Sequence, residues 1–272
     1  MSKLSGNRIA RRILARVVPV LWSMPVIGFA TFGYAAETCI EYPYSGVETA
    51  EKSDPASIYE GISFALDYFP SFARTLNNAA PDLCFSSSMD GALGYLDVGK
   101  NRIVISEGLP DGLRNGVFLH ELRHLEQFAN GSCPADNLAM EEYARATFAM
   151  EADASAISLL VAWKLKENGQ RSIWAALSSW PQQADIAAGF ADEMADSNDI
   201  ALAVSVAFYQ WYASNTRVEK YYFSTCSDYL DRQDEGHIIP QYQMIPDTFL
   251  KELCILPDGR RYACSPPEVR LR

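Results

Sequence analysis

Val117-Phe118-Leu119-His120-Glu121-Leu122-Arg123-His124 is the stretch on which the reading of this chain turns. Around it Leu113, Val117, Leu125 and Phe128 recur at helical spacing, between the breaker Pro110-Asp111-Gly112 and Gly131, so a helix is expected from about 113 to 128. Residues four apart on a helix lie one turn above each other, so His120 and His124 present both imidazoles on one face. Rings placed this way can reach a single zinc ion at ~2.0–2.1 Å each. Glu121 projects to one side of them, where a carboxylate meets a water held at the metal rather than the metal itself. Such a carboxylate takes the water's proton as it attacks a carbonyl and then hands it to the leaving amine. The chain has only 3 histidines, and two of them occupy this frame.

A catalytic zinc takes three protein ligands and leaves one position for water. The residues after His124 are Leu-Glu-Gln-Phe-Ala-Asn, so no HExxHxxGxxH continuation supplies a third histidine, and His237 lies far along in a Pro-rich tail. A carboxylate from the following helix is simpler. Glu141, Glu142, Glu151 and Asp153 are candidates, and Glu151 is preferred. It follows His124 at a distance that allows a loop and a returning helix, and its helical neighbours Thr147, Ala154, Ser155 and Ser158 are mostly small enough for close approach. Asp153 shares a face with Met150, Ile157 and Leu160. It is the alternative ligand, or a buried carboxylate that orients a histidine from outside the ligand set. Glu142 also stays open. His237, Tyr212, Tyr221 and Tyr222 are candidates to steady an oxyanion.

Outward from the motif, Gly94–Val98 and Arg102–Ser106 flank a turn at 99–101 and read as a hairpin. A helix is expected over about 57–78, kinked or ended at Pro70. Another is expected over about 137–166, in one or two pieces, with several more to about 231. Residues 37–55 and the Pro-rich tail, 232–272, read as mostly irregular. The expected fold class is helix-rich α+β: an active-site helix packed on a small sheet or hairpin, followed by a helical region. A single domain over 36–272 is expected, with a core at about 57–168 and a helical region at about 169–231.

The first 36 residues carry Lys3, Arg8, Arg11, Arg12 and Arg16 and no acid, followed by an apolar run and Gly33-Tyr34-Ala35-Ala36. Basic, apolar, then small is the order of a secretory signal, with cleavage expected after Ala35. An exported chain, periplasmic or secreted, without stable membrane insertion after cleavage, is the consequence. All six cysteines lie beyond that point. An even count fits up to three disulfides, and Cys254 with Cys264, flanking the turn at Pro257-Asp258-Gly259, is the pair with local support. No CxxC spacing offers a cysteine zinc site. The net charge of -11 becomes -16 once the five N-terminal basic residues are set aside, which argues against nucleic acid as a partner.

The segment 117–124 resembles the active-site helix of the zincin metallopeptidases, and the hairpin before it resembles the zincin edge strand. The likeness covers roughly residues 90–165, about a quarter of the chain. A carboxylate as third ligand is the gluzincin arrangement. Arg123 and Glu126 depart from the usual pattern, which is uncharged at the first position and apolar at the second. The His-Glu-Leu-Arg-His frame with Glu151-Ala152-Asp153-Ala154 is also similar to a group of bacterial metallopeptidase-type proteins of uncharacterised activity. Together these imply an exported zinc-dependent metallopeptidase acting on peptide or protein substrate. His120, His124 and Glu151 would be its ligands, Glu121 its general base, and a strand near Ile103–Ile105 its guide for extended substrate. The alternative is a zincin-like protein without catalysis, or a metal-free helical binding protein of the cell envelope.

Overall fold

Thr38–Ile40 forms a short strand, β1, in a stretch whose sequence suggested irregular chain; its partner lies more than 40 residues away, so no local pattern announces it. The structure is a computed structural model that describes residues 37–44, 55–89 and 91–267. The expected leader, 1–35, lies outside these. Helices α1 (Pro55–Tyr68) and α2 (Pro70–Ala79) follow. Pro70 divides them as expected, since it cannot supply an N–H inside a helix and fits at the first turn of the next one.

Three strands come next: β2 (Asp82–Ser86), β3 (Gly94–Asp97) and β4 (Arg102–Ser106). The β3–β4 hairpin is the expected one, with Asn101 at a positive φ of 50° in its turn. The sheet extends beyond it. β4 pairs in parallel with β2, β2 pairs antiparallel with β1, and the order is β1-β2-β4-β3. Ile103, Val104 and Ile105 are all buried, as a strand covered on both faces requires. Both edges of β4 are therefore taken, and Ile103–Ile105 cannot pair with a substrate. Among the described residues the unpaired edge of this hairpin belongs to β3.

The rest is helical, which makes the whole a helix-rich α+β fold. The motif lies on α3 (Asp111–Ala129), which leads to α4 (Met140–Glu167), one unbroken helix rather than two. Glu141 and Glu142 in the first turn of α4, and Lys164 and Lys166 in the last, suit its dipole. α4 is long and apolar enough to cross a membrane, but 83% of its apolar window is buried inside the protein, so it is the central core helix. Around it pack α5 (Ser172–Ser179), α6 (Ala184–Ser197), α7 (Ile200–Trp211) and α8 (Asn215–Glu235). Within the expected irregular tail, Thr248–Leu253 forms a further helix, α9.

Cys254 and Cys264 are bonded, as expected, and a bridge between Ile255 and Arg261 closes the turn between them. Cys39 and Cys84, opposite each other on β1 and β2, form a second disulfide, while Cys133 and Cys226 are free. Bonds of this kind persist in oxidising surroundings, in keeping with export.

Candidate metal centre

α3 is polar by composition yet enclosed by its neighbours. Arg114, Asn115, Glu121, Arg123, Glu126 and Gln127 are buried along with its apolar side chains. Buried polar groups carry a large desolvation cost unless they are paired or bind something, so the fate of each one is informative.

His120 and His124 do project together, with their Nε2 atoms 3.1 Å apart. From α4, Glu151 places Oε2 3.3 Å from His120 Nε2 and Oε1 3.3 Å from His124 Nε2. Three ligands spaced tetrahedrally at ~2.0–2.1 Å from a zinc ion would stand roughly 3.3–3.4 Å from one another. Two imidazole nitrogens and a carboxylate are also the donor set that suits zinc. The side chains of His120 and Glu151 retain 21% and 17% exposure, so the cluster opens to solvent on one side.

The His124 ring is fixed from outside. Its Nδ1 lies 2.8 Å from the Gln127 carbonyl oxygen, while the Gln127 amide donates to the Met150 carbonyl and to Asp153 Oδ2. Both amide hydrogens being used, the Gln127 oxygen must accept, so Nδ1 carries the proton and Nε2 points its lone pair at the cluster in the neutral ring. Without metal, burial works against charge on His124. The charge of Glu151 and a hydrogen bond to it outweigh this and raise its pKa to about 9. For Glu151, burial pushes upward but the two rings hold its carboxyl far below the usual range.

Glu121 is buried beside the cluster. Burial first, and then the charge of Glu151, raise its pKa, against the opposing pull of the two rings. β3 lies against this residue. A Cβ on Gly94 would meet Val117 Cγ1 at 2.5 Å, the Val104 carbonyl oxygen at 3.2 Å and Glu121 Oε1 at 3.2 Å. Only glycine lets the edge strand come so close to the base.

Among the tyrosines the geometry selects. Tyr221, on α8, lies beside Glu151, whose charge, followed by burial and the charge of Glu121, pushes the phenol's pKa well up. Tyr222 pairs with Cys226 instead. Tyr212 has Arg145 as its charged neighbour, and burial raises its pKa. His237 is exposed in the loop after α8.

The remaining carboxylates are placed elsewhere. Asp153 is fully buried and no candidate ligand: it accepts from Arg123 Nε at 2.6 Å, Arg123 Nη2 at 3.0 Å, Gln127 and the Tyr262 hydroxyl. Glu142 accepts from Arg145 and from the Ile245 N–H, and Glu141 is exposed. Arg123 and Glu126, the two departures from the zincin pattern, pair with each other. A cavity of about 600 Å³, lined by Arg74, Asn78, Glu126, Glu252 and Asp258 among others, reaches Arg123 but none of the cluster residues.

Residues 33–264 match the model of a family described as "Putative metallopeptidase family (DUF6782)". The chain belongs to this family. Membership covers both core helices, the sheet and the C-terminal turn, and it implies a metal and peptidase chemistry at the level of the family. No curated protein and no solved structure matches the chain. In this member of the family, the His120, His124 and Glu151 group is also the one set of metal-type donors among the described residues not involving a disulfide. The other such group, Glu37 with Cys39 and Cys84, uses two sulfurs that are bonded to each other.

Sequence reasoning missed three residues. Gln127 lies three after His124 on the same helical face, a spacing that would have singled it out. Gly94 and Tyr262 carry no comparable local signal, because each acts on a residue far away in the chain.

Proposed function

We propose that this chain is an exported zinc metallopeptidase in which His120, His124 and Glu151 hold the metal and Glu121 is the general base. The observation that carries the reading is the convergence of three donor groups: the two Nε2 atoms stand 3.1 Å apart and each lies 3.3 Å from one oxygen of the Glu151 carboxylate, with a buried carboxyl next to them. When bound, zinc would lower the pKa of a water and polarise a substrate carbonyl. Glu121 takes a proton from the attacking water and passes it to the amine as the peptide bond breaks. Its raised pKa suits it to holding that proton between the two steps. Tyr221 keeps its own proton at neutral pH, shares it in a hydrogen bond with Glu151, and is the phenol placed at the cluster to turn that proton toward an oxyanion.

The outer edge of β3, rather than β4, guides the substrate. Among the described residues no strand pairs with it on that side, which leaves its backbone groups to an extended peptide, and Gly94 lies against Glu121. The N-terminal signal pattern and the two disulfides support export.

Elemental analysis of the purified mature chain tests the metal, with about one zinc per chain expected. Glu121→Gln tests the base on a peptide library: zinc is retained and hydrolysis is lost. Full activity in that variant overturns the assignment of Glu121, and absence of stoichiometric zinc overturns the ligand set.

A further inference from the structure

We infer that the cross-linked C-terminal turn, residues 254–264, is a positioning element of the metal centre: Tyr262 and Asp153 hold Gln127, and Gln127 holds the His124 ring. This rests on the ligand reading above. The line of contacts is continuous. The Tyr262 hydroxyl donates to Asp153 Oδ1 at 2.5 Å, Gln127 Nε2 donates to Asp153 Oδ2 at 2.7 Å, and His124 Nδ1 donates to Gln127 Oε1 at 2.8 Å. Tyr262 and Asp153 are 109 residues apart in sequence.

Donors and acceptors along this line are matched. Asp153 offers two oxygens, and each is shared between Arg123 and one other donor, Gln127 on one side and Tyr262 on the other. Losing the phenol leaves one oxygen short and frees the carboxylate to turn about the Arg123 fork. Such a turn would pull it from Gln127. The phenol can serve only as donor here, because burial and the neighbouring Asp153 charge keep its proton in place. Arg123 is anchored in turn to the tail, donating to the carbonyls of Leu253 and Ile255 at 2.9 Å each.

The turn itself is built to hold the ring. The Tyr262 N–H donates to the Cys254 carbonyl, the Leu256 N–H donates to the Arg260 carbonyl at 2.7 Å, and the Cys254–Cys264 bond closes the loop. Tyr262 is buried against Phe208 of α7. A tail whose sequence reads as loose chain thus reaches the ring of a proposed ligand through two intermediate side chains.

The test uses the full mature chain and reads zinc affinity by competition with a chromophoric chelator, beside thermal unfolding of the metal-free protein. Tyr262→Phe keeps the ring and removes the donor; it is expected to weaken zinc binding about tenfold, and Gln127→Ala by roughly 10–100-fold, the range for groups that orient a ligand. The decisive comparison is the double variant. If Tyr262 acts through Gln127, then Tyr262→Phe weakens zinc no further once Gln127 is alanine. Replacing Cys254 and Cys264 together by serine, which leaves the phenol in place but opens the loop, is expected to weaken zinc in the same direction. A dissociation constant within about twofold of the parent for both Tyr262→Phe and the cysteine pair overturns the inference, as do additive effects of Tyr262→Phe and Gln127→Ala. If the parent chain itself binds no zinc, the ligand assignment falls first and this inference with it; loss confined to the variants leaves that assignment standing.

Discussion

Glu151 and Asp153 stand two residues apart on the same helix and both meet α3, yet they do opposite work. Asp153 is sealed in, and Arg123, Gln127 and Tyr262 supply it with donors on both oxygens. Glu151 remains partly open and faces two imidazole nitrogens across gaps of 3.3 Å. A buried charge that the protein compensates in full is a scaffold, since it has no capacity left for a ligand. A convergent set of lone pairs held together by shared protons is a place where a cation can take a proton's position. The two carboxylates show that burial alone does not mark a site; unspent coordinating capacity does.

The largest expected effect comes from reversing the two roles. Arg123→Met leaves Asp153 and Glu126 buried without their cation and is expected to cost about 3–5 kcal/mol in denaturant unfolding of the metal-free protein. Glu151→Gln is expected to lose stoichiometric zinc, and to lower the metal-free unfolding midpoint only where His124 is protonated, the difference from the parent closing as pH rises through about 9. A stable Arg123→Met chain, or a Glu151→Gln chain that keeps its zinc, breaks the comparison.

A smaller effect separates metal binding from the base. In Gly94→Ala the new methyl meets Val117 at 2.5 Å and Glu121 at 3.2 Å, so strand or carboxyl must shift. Turnover is expected to fall roughly ten- to hundredfold, since small misplacements of a catalytic group carry that cost. Zinc content should not change. Unaltered turnover would show that β3 does not constrain Glu121.

The smallest effect is in pH. In the metal-free chain the folded-state pKa of His124 is about 9, above its ordinary value near 6.5. A raised folded pKa means that the proton favours the folded state. This contribution is complete below about pH 6.5 and disappears as pH rises through about 9. The metal-free thermal midpoint should therefore fall across that window, and zinc should stabilise the chain more at its upper end, where no proton has to be displaced. A flat metal-free profile would show that Glu151 does not pair with His124.

The sequence made the helical parts of this fold legible wherever a pattern was local. Pro70 divided α1 from α2, and Asn101 turned β3 into β4. Four-residue spacing aligned His120 with His124. Glu151 was chosen on the small residues around it, and it is the carboxylate that the structure brings to the two rings. What escaped was non-local. β1 and β2 find their partners across long stretches of chain, and the parallel pairing of β2 with β4 is what removes Ile103–Ile105 from any free edge. Arg123 and Glu126 read as departures from a familiar motif because, although they pair with each other, the remaining partners of Arg123, which are Asp153 and the carbonyls of Leu253 and Ile255, lie 30 to 132 residues away.

Helical periodicity determined the class of fold and the pair of rings, and the charge order of the N-terminus set the expectation of export, because each depends on neighbours a few residues apart. Setting aside Asp153 and Glu142 as ligands, and choosing the phenol and the edge strand, required the packed molecule. Those choices depend on which atoms from distant segments come within 3 to 4 Å, and a linear pattern does not encode that distance until the chain has closed around its core.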